Sequence, residues 1–178
     1  MTKKLIQSVI GDKTIDTDDF DTLIAGAAAI MNRRPMMQVS ADIDEPLVLS
    51  PAHFLHPYVF TNSATNIMPP NSGEPETLKS GWRAAQHLLD LFFTRFKREY
   101  LASLLKRKET KSSLVSPKAG DVVILKEDNL PREQWRLCRI TEVINADKNH
   151  PRRFLLRDSK NKILDRNING FIPLELHD

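Results

Sequence analysis

Apolar residues recur along this chain with two different periods. Between residues 79 and 108, Trp82, Ala85, Leu89, Phe92, Phe96 and Tyr100 follow one another at three- and four-residue steps, and Leu88, Phe93 and Leu104 widen the same stripe. That spacing predicts a long amphipathic helix from about Glu76 to Lys108, with Arg83, His87, Lys97 and Arg98 off the stripe. From Pro117 the pattern shortens to β-type runs: Val122–Leu125, Arg139–Ile144, Arg153–Arg157, Lys162–Asp165 and Phe171–Leu174. Turn-forming residues divide them, including Asp158–Asn161 and Asn169-Gly170. Five short strands in so little chain predict a small closed barrel.

The first part of the chain reads as helical. Residues 1–10 suit the latter part of a helix closed by Gly11, because glycine tolerates positive φ just past a helix terminus. A second helix is expected from about Asp18 to Asn32, with Thr17 as N-cap and Asp18, Asp19 and Asp21 favourably placed in its first turn. Its interior, residues 23–31, is apolar nearly all round, so burial of one face would not suffice. Residues 35–77 hold seven of the 11 prolines and read as extended loop, with 61–77 as a linker. The organisation expected is therefore a helical segment 1–60, a linker 61–77, a basic amphipathic helix and connector 78–116, and a β-domain 117–178.

Composition narrows the class. The 178 residues are 40% hydrophobic and 28% charged, as in a globular protein, and the only cysteine, Cys138, forbids an intramolecular disulfide. No stretch approaches the roughly 18 apolar residues of a membrane span. A soluble, intracellular protein without membrane contact is the expectation. The net charge of +3 conceals an uneven distribution. Residues 1–78 carry five basic against ten acidic side chains, residues 79–118 ten against three, and residues 119–178 eleven against ten. A central basic block suits either a solvated helix face or an electrostatic footprint for nucleic acid.

Autonomous chemistry finds little support. The acids Asp16, Asp18, Asp19 and Asp21 lack the glycine and glutamate positions of a calcium loop, and read as a capped helix start. His53 and His56 have a ligand-like separation without a second pair, so no metal is assigned. No phosphate-binding glycine loop or nucleophile elbow is present. No catalytic residue and no cofactor is expected.

Several segments together resemble the C-terminal part of an integrase from a Bel/Pao-type long-terminal-repeat retrotransposon. They are Asn32-Arg33-Arg34-Pro35, then Leu49-Ser50-Pro51-Ala52-His53-Phe54-Leu55, then Trp82, Gln86, Arg95, Glu99-Tyr100-Leu101 and Arg107. The last part is similar through Gly120-Asp121-Val122-Val123, Asp128-Asn129-Leu130-Pro131, Trp135, Arg139, Glu142-Val143, Arg157, Arg166 and Pro173-Leu174. Cys138 stands where the family has glycine, and Arg166-Asn167-Ile168-Asn169-Gly170 replaces a segment in which the family carries a lysine. The resemblance implies the end of a ribonuclease-H-like core followed by a small SH3-like barrel. It also implies that the core's catalytic Asp, Asp and Glu would lie upstream of Met1, leaving no enzyme. The fold class expected is thus α+β: N-terminal helices and a long amphipathic helix, followed by a five-stranded SH3-like β-barrel.

A non-catalytic module binding DNA or another nucleic acid follows, with a nuclear location favoured. Its candidate phosphate contacts are Lys97, Arg98, Lys106, Arg107, Lys108 and Lys111 on the helix, and Arg136, Arg139, Arg152 and Arg153 on the barrel. Trp135 is placed either to stack on a base or to pack within the barrel. The alternative is a protein-interaction adaptor, in which Leu23, Ile24, Ile30 and Met31 of residues 1–32 meet a second copy or another protein.

Overall fold

The structure, a computed structural model, describes residues 2–39, 48–55, 73, 75–110, 116–127, 130–132, 134–144 and 151–174, with the side chains of 106–110 outside that description. Among the described residues, four helices and seven strands follow in the order α1 (Thr2–Ile10), α2 (Thr17–Asn32), β1 (Met37–Gln38), β2 (Val48–Leu49), α3 (Pro51–Leu55) and α4 (Glu76–Thr110). Then come β3 (Val122–Leu125), β4 (Leu137–Ile144), β5 (Arg153–Asp158), β6 (Ile163–Asn167) and β7 (Phe171–Pro173). The chain is α+β. It forms two compact units, one from residues 1–33 and 51–99, the other from 34–50 and 100–178. Most of the expected linker 61–77 lies outside the described residues.

In the first unit, α1 ends as glycine dictates: Gly11 has φ of 61°, and its N–H donates to the Gln7 carbonyl at 2.9 Å. The next carbonyl, of Ser8, accepts from Arg95 Nη1 of α4 at 2.5 Å, so a cation satisfies an orphaned group at the negative end of the helix. Helix α2 begins one residue earlier than expected. Asp16, not Thr17, holds the N-cap position in extended backbone, and its side chain makes no capping bond. The helix buries Leu23, Ala27 and Ile30 and leaves Phe20 and Ile24 exposed. One face suffices after all, because Ala and Gly supply much of the remaining surface and expose little apolar area. A Cβ built on Gly26 would stand 2.6 Å from Leu89 Cδ2, so the absence of a side chain there lets α2 approach α4 closely.

Residues 35–77 are not all extended loop. Met37 and Gln38 pair antiparallel with Leu49 and Val48, and α3 follows directly with Pro51 at its first position, where the missing N–H costs nothing. In α4 the apolar stripe is buried as its spacing predicts: Ala85, Leu88, Leu89, Phe92, Phe93 and Phe96 in the first unit, Tyr100 and Leu104 in the second.

The second unit is built on a five-stranded antiparallel sheet in the order β6-β5-β4-β3-β7. Its ladder is open, with β6 and β7 as edges. A register shift between Ile140 and Glu142 bends β4, and the single 3₁₀ turn Ile168–Gly170 returns the chain from β6 to β7. One core holds Val123, Leu125, Cys138, Ile140, Phe154, Leu156, Leu164 and Phe171. Phe154 and Phe171 meet edge to face at 5.1 Å. Val122 and Ile124 alternate to the opposite face and are equally withdrawn from water, with Ile172 opposite Ile124. This unit also buries Tyr100, whose hydroxyl donates to the Pro35 carbonyl at 2.5 Å and whose ring meets Trp135 edge-on.

Two-sided burial of β3 has a direct consequence. Ile124→Ala should cost about 2–5 kcal/mol in urea unfolding, as much as a substitution in the inner core. A half-solvated strand would lose far less.

Candidate nucleic-acid interface

The candidate cations fall into distinct environments once the strands are placed. Lys97, expected on the solvent side of α4, is 8% exposed, and its Nζ sits 5.9 Å from the centre of the Phe93 ring. It lies one turn after an apolar position that widens the stripe, and its stem is absorbed by that face. Arg98 is exposed. The side chains of Lys106, Arg107 and Lys108, and all of Lys111, lie outside the described residues.

On the sheet, Arg139 is 7% exposed, near the start of β4 with Arg157 as its cross-strand neighbour, and its Nη1 approaches the Gly120 carbonyl at 3.5 Å. Burial removes it from any phosphate. Arg136 reaches Glu127 Oε1 at 2.6 Å and Asp158 Oδ2 at 2.9 Å, bridging the loop after β3 to the end of β5. Arg153 is exposed but paired with Asp165. Trp135 is half-buried, and its ring meets that of Tyr100 on α4 edge-on. Of the four barrel arginines, Arg152 is exposed and has no acid partner among the described residues.

Strand pairing assembles a different set. Residues 151–167 carry six basic side chains, Arg152, Arg153, Arg157, Lys160, Lys162 and Arg166, against two acids, Asp158 and Asp165. Both acids are already taken, by Arg136 and Arg153. Arg152, Lys160, Lys162 and Arg166 are exposed, and among the described residues no acid pairs with any of them. Arg166 Cδ would lie 3.7 Å from a Cβ at Gly170, and the Lys126 N–H donates to the Gly170 carbonyl, so exposed Lys126 borders the same surface. Lys126, Lys160, Lys162 and Arg166 are absent from the sequence-based candidates. The available signal was two acids among six bases in a single hairpin.

The turn at one end of this surface is built by Asp158. Its Oδ1 accepts from the Lys160 N–H at 2.9 Å, and Asn161 takes the left-handed conformation at φ 58°. That backbone bond, together with the Arg136 guanidinium, holds the Asp158 carboxyl below its ordinary value of 3.8. Arg136 is raised in turn, first by the hydrogen bond to Asp158. Burial pushes the Cys138 thiol up to about 11, so the chain's one cysteine carries no thiolate near neutral pH.

The interface candidates divide similarly. Leu23 and Ile30 are each 1% exposed and belong to the interior of the first unit, Met31 is half-buried and accepts from the Thr2 hydroxyl at 3.4 Å, and Ile24 is exposed beside Phe20. Leu23 and Ile30 are therefore covered by the chain itself. Among the described residues, no three His, Cys, Asp or Glu side chains converge as metal ligands, and no helix is long and apolar enough to cross a membrane.

The family described as one of unknown function, DUF5641, matches residues 80–174. No curated protein and no solved structure matches the chain.

The Arg136 bridge generates a pH dependence. A carboxyl depressed in the folded state contributes stability that is full above its unfolded pKa, near 4, and is lost as pH falls through the folded value. Urea unfolding should show this loss below about pH 4 in the parent and a smaller one in Asp158→Asn. Arg136→Gln should cost about 1–3 kcal/mol at pH 7 by removing the cation that bonds both Asp158 and Glu127.

Proposed function

For a chain that belongs to DUF5641, a family of unknown function, we propose a non-catalytic, integrase-derived module that binds polynucleotide phosphates, with DNA as the preferred ligand and the nucleus as its place of action. The observation that carries the reading is the set of exposed cations with no acid partner among the described residues around the β5–β6 hairpin: Lys126, Arg152, Lys160, Lys162 and Arg166. Phosphate binding needs cations that are free to leave water for a phosphate, and an arginine already held by carboxylates gains less from the exchange. Arg98 and the basic end of α4, residues 106–108, extend the proposal to the helix.

The unit that carries this surface is proposed to be SH3-like. The meander β3-β4-β5-β6, the return of β7 to pair with β3, the bulge in β4 and the 3₁₀ turn before β7 support that description.

About five phosphate contacts predict a log–log salt slope near −4.5 on duplex DNA, a loss of about 500-fold in affinity between 50 and 200 mM salt. Fluorescence anisotropy with a labelled duplex measures it. Replacing Lys160, Lys162 and Arg166 together by Glu should flatten the slope by about three. An unchanged slope in that variant would remove the hairpin from the reading.

A second reading, docking of a second copy or another protein through residues 1–32, is favoured by Phe20 and Ile24, which remain 40% and 37% exposed on α2. Sedimentation equilibrium at micromolar concentration should then report a mass above the monomer that Ile24→Asp reduces. A monomeric parent would limit the surface to other partners.

A further inference from the structure

Strand β6 is an edge, and its register decides which of its backbone groups face outward. The Asp158 N–H donates to the Lys162 carbonyl at 3.0 Å, and the Ile168 N–H to the Arg152 carbonyl at 3.0 Å. With Leu156 opposite Leu164, the residues bonded to β5 are therefore Lys162, Leu164, Arg166 and Ile168. Ile163, Asp165 and Asn167 turn their N–H and C=O groups away from the sheet, at intervals of about 6.8 Å. Arg166 Nη1 donates to the Asp165 carbonyl at 2.9 Å and the Asn167 carbonyl opens the 3₁₀ turn, while no described residue pairs with the Ile163 carbonyl or with the N–H groups of Ile163, Asp165 and Asn167.

Such edges are ordinarily blunted by a proline, a bulge or an outward charge. Strand β6 has no proline and no register shift against β5. The central outward residue, Asp165, has its charge engaged by Arg153. Ile163, at the start of the strand, is 63% exposed. The edge is thus regular, in reach of solvent and partly apolar, a template for another strand.

We propose that the outer edge of β6 docks an extended acidic peptide as a sixth strand. Charge identifies the partner. Lys160 and Lys162 lie at the turn end of the edge, and Arg152 and Arg166 at the other, all exposed and without acid partners among the described residues. An incoming strand with alternate acidic residues meets these cations, and an apolar side chain at the turn end covers Ile163. A polynucleotide satisfies the cations but not the edge, since its backbone offers no N–H group to the Ile163 carbonyl and no second strand of alternating donors and acceptors. The inference does not rest on the polynucleotide reading, because it concerns a main-chain ladder of alternating donors and acceptors that a polynucleotide does not supply.

The test is amide hydrogen exchange of the full chain by NMR, with a heptapeptide of alternating glutamate and valine as probe. The lysine–valine counterpart and a duplex DNA serve as controls. Protection of Ile163, Asp165 and Asn167 should rise by about tenfold or more with the glutamate peptide and with neither control. Ile163→Pro removes an outward N–H that the ladder does not use, at a strand's first residue where proline is tolerated, and should weaken peptide binding about tenfold while leaving DNA binding intact. A glutamate peptide N-methylated at alternate amides, used on the parent chain, should lose binding to the same degree. Unchanged protection at millimolar peptide would overturn the proposal. Equal protection by the duplex would overturn it too, by assigning the edge to nucleic acid.

Discussion

Because Val122, Val123, Ile124 and Leu125 are all withdrawn from water, β3 demands an apolar layer on each of its faces. The inner layer is the core around Phe154 and Phe171, and the outer face requires cover from outside the β-meander. Helix α4 enters this unit at Tyr100, which is fastened to the Pro35 carbonyl and to Trp135. Burying an Ile or Val fully is worth roughly 1.5–3 kcal/mol, so the outer face of β3 alone represents a sizeable part of a small unit's marginal stability. The strands, the end of the long helix and the segment before β1 are consequently parts of one folded unit.

Charge is arranged around that core in two classes. Arginines held by acids or by burial, Arg136, Arg139 and Arg153, serve the fold: Arg136 ties β5 to the loop after β3, and Arg153 neutralises Asp165 on the edge strand. The other exposed cations of the hairpin have no such partner among the described residues. Arg152, Lys160, Lys162 and Arg166 owe their availability to the acids having been consumed elsewhere, and it is availability rather than charge count that suits them to an anionic ligand.

The first unit illustrates the same economy with neutral groups. Gly26 permits α2 to close on Leu89, while Arg95 satisfies the last turn of α1, so a missing side chain and a long one each resolve a local demand of helix packing. Phe20 and Ile24 are what this packing leaves over.

Much of the architecture was legible in the sequence, because hydrophobic period and turn chemistry are local. The stripe from Ala85 to Leu104, the closure of α1 by Gly11 and all five strands of the sheet follow from spacing and from glycine or asparagine at their borders, with ends differing by two residues or fewer. Short elements escaped: β1, β2 and α3 are too brief to show a period, and their proline-rich surroundings read as loop. Two-sided burial of β3 escaped as well, since a four-residue apolar run does not say how many faces are covered. The sequence listed the cations but not their engagements. Whether Arg136 is a ligand contact or a strut, and whether Lys97 faces water or Phe93, depends on residues brought alongside by strand register and helix rotation. Pairing across strands joins Asp158 to Arg136 over 22 positions of chain, and only the folded register makes that choice.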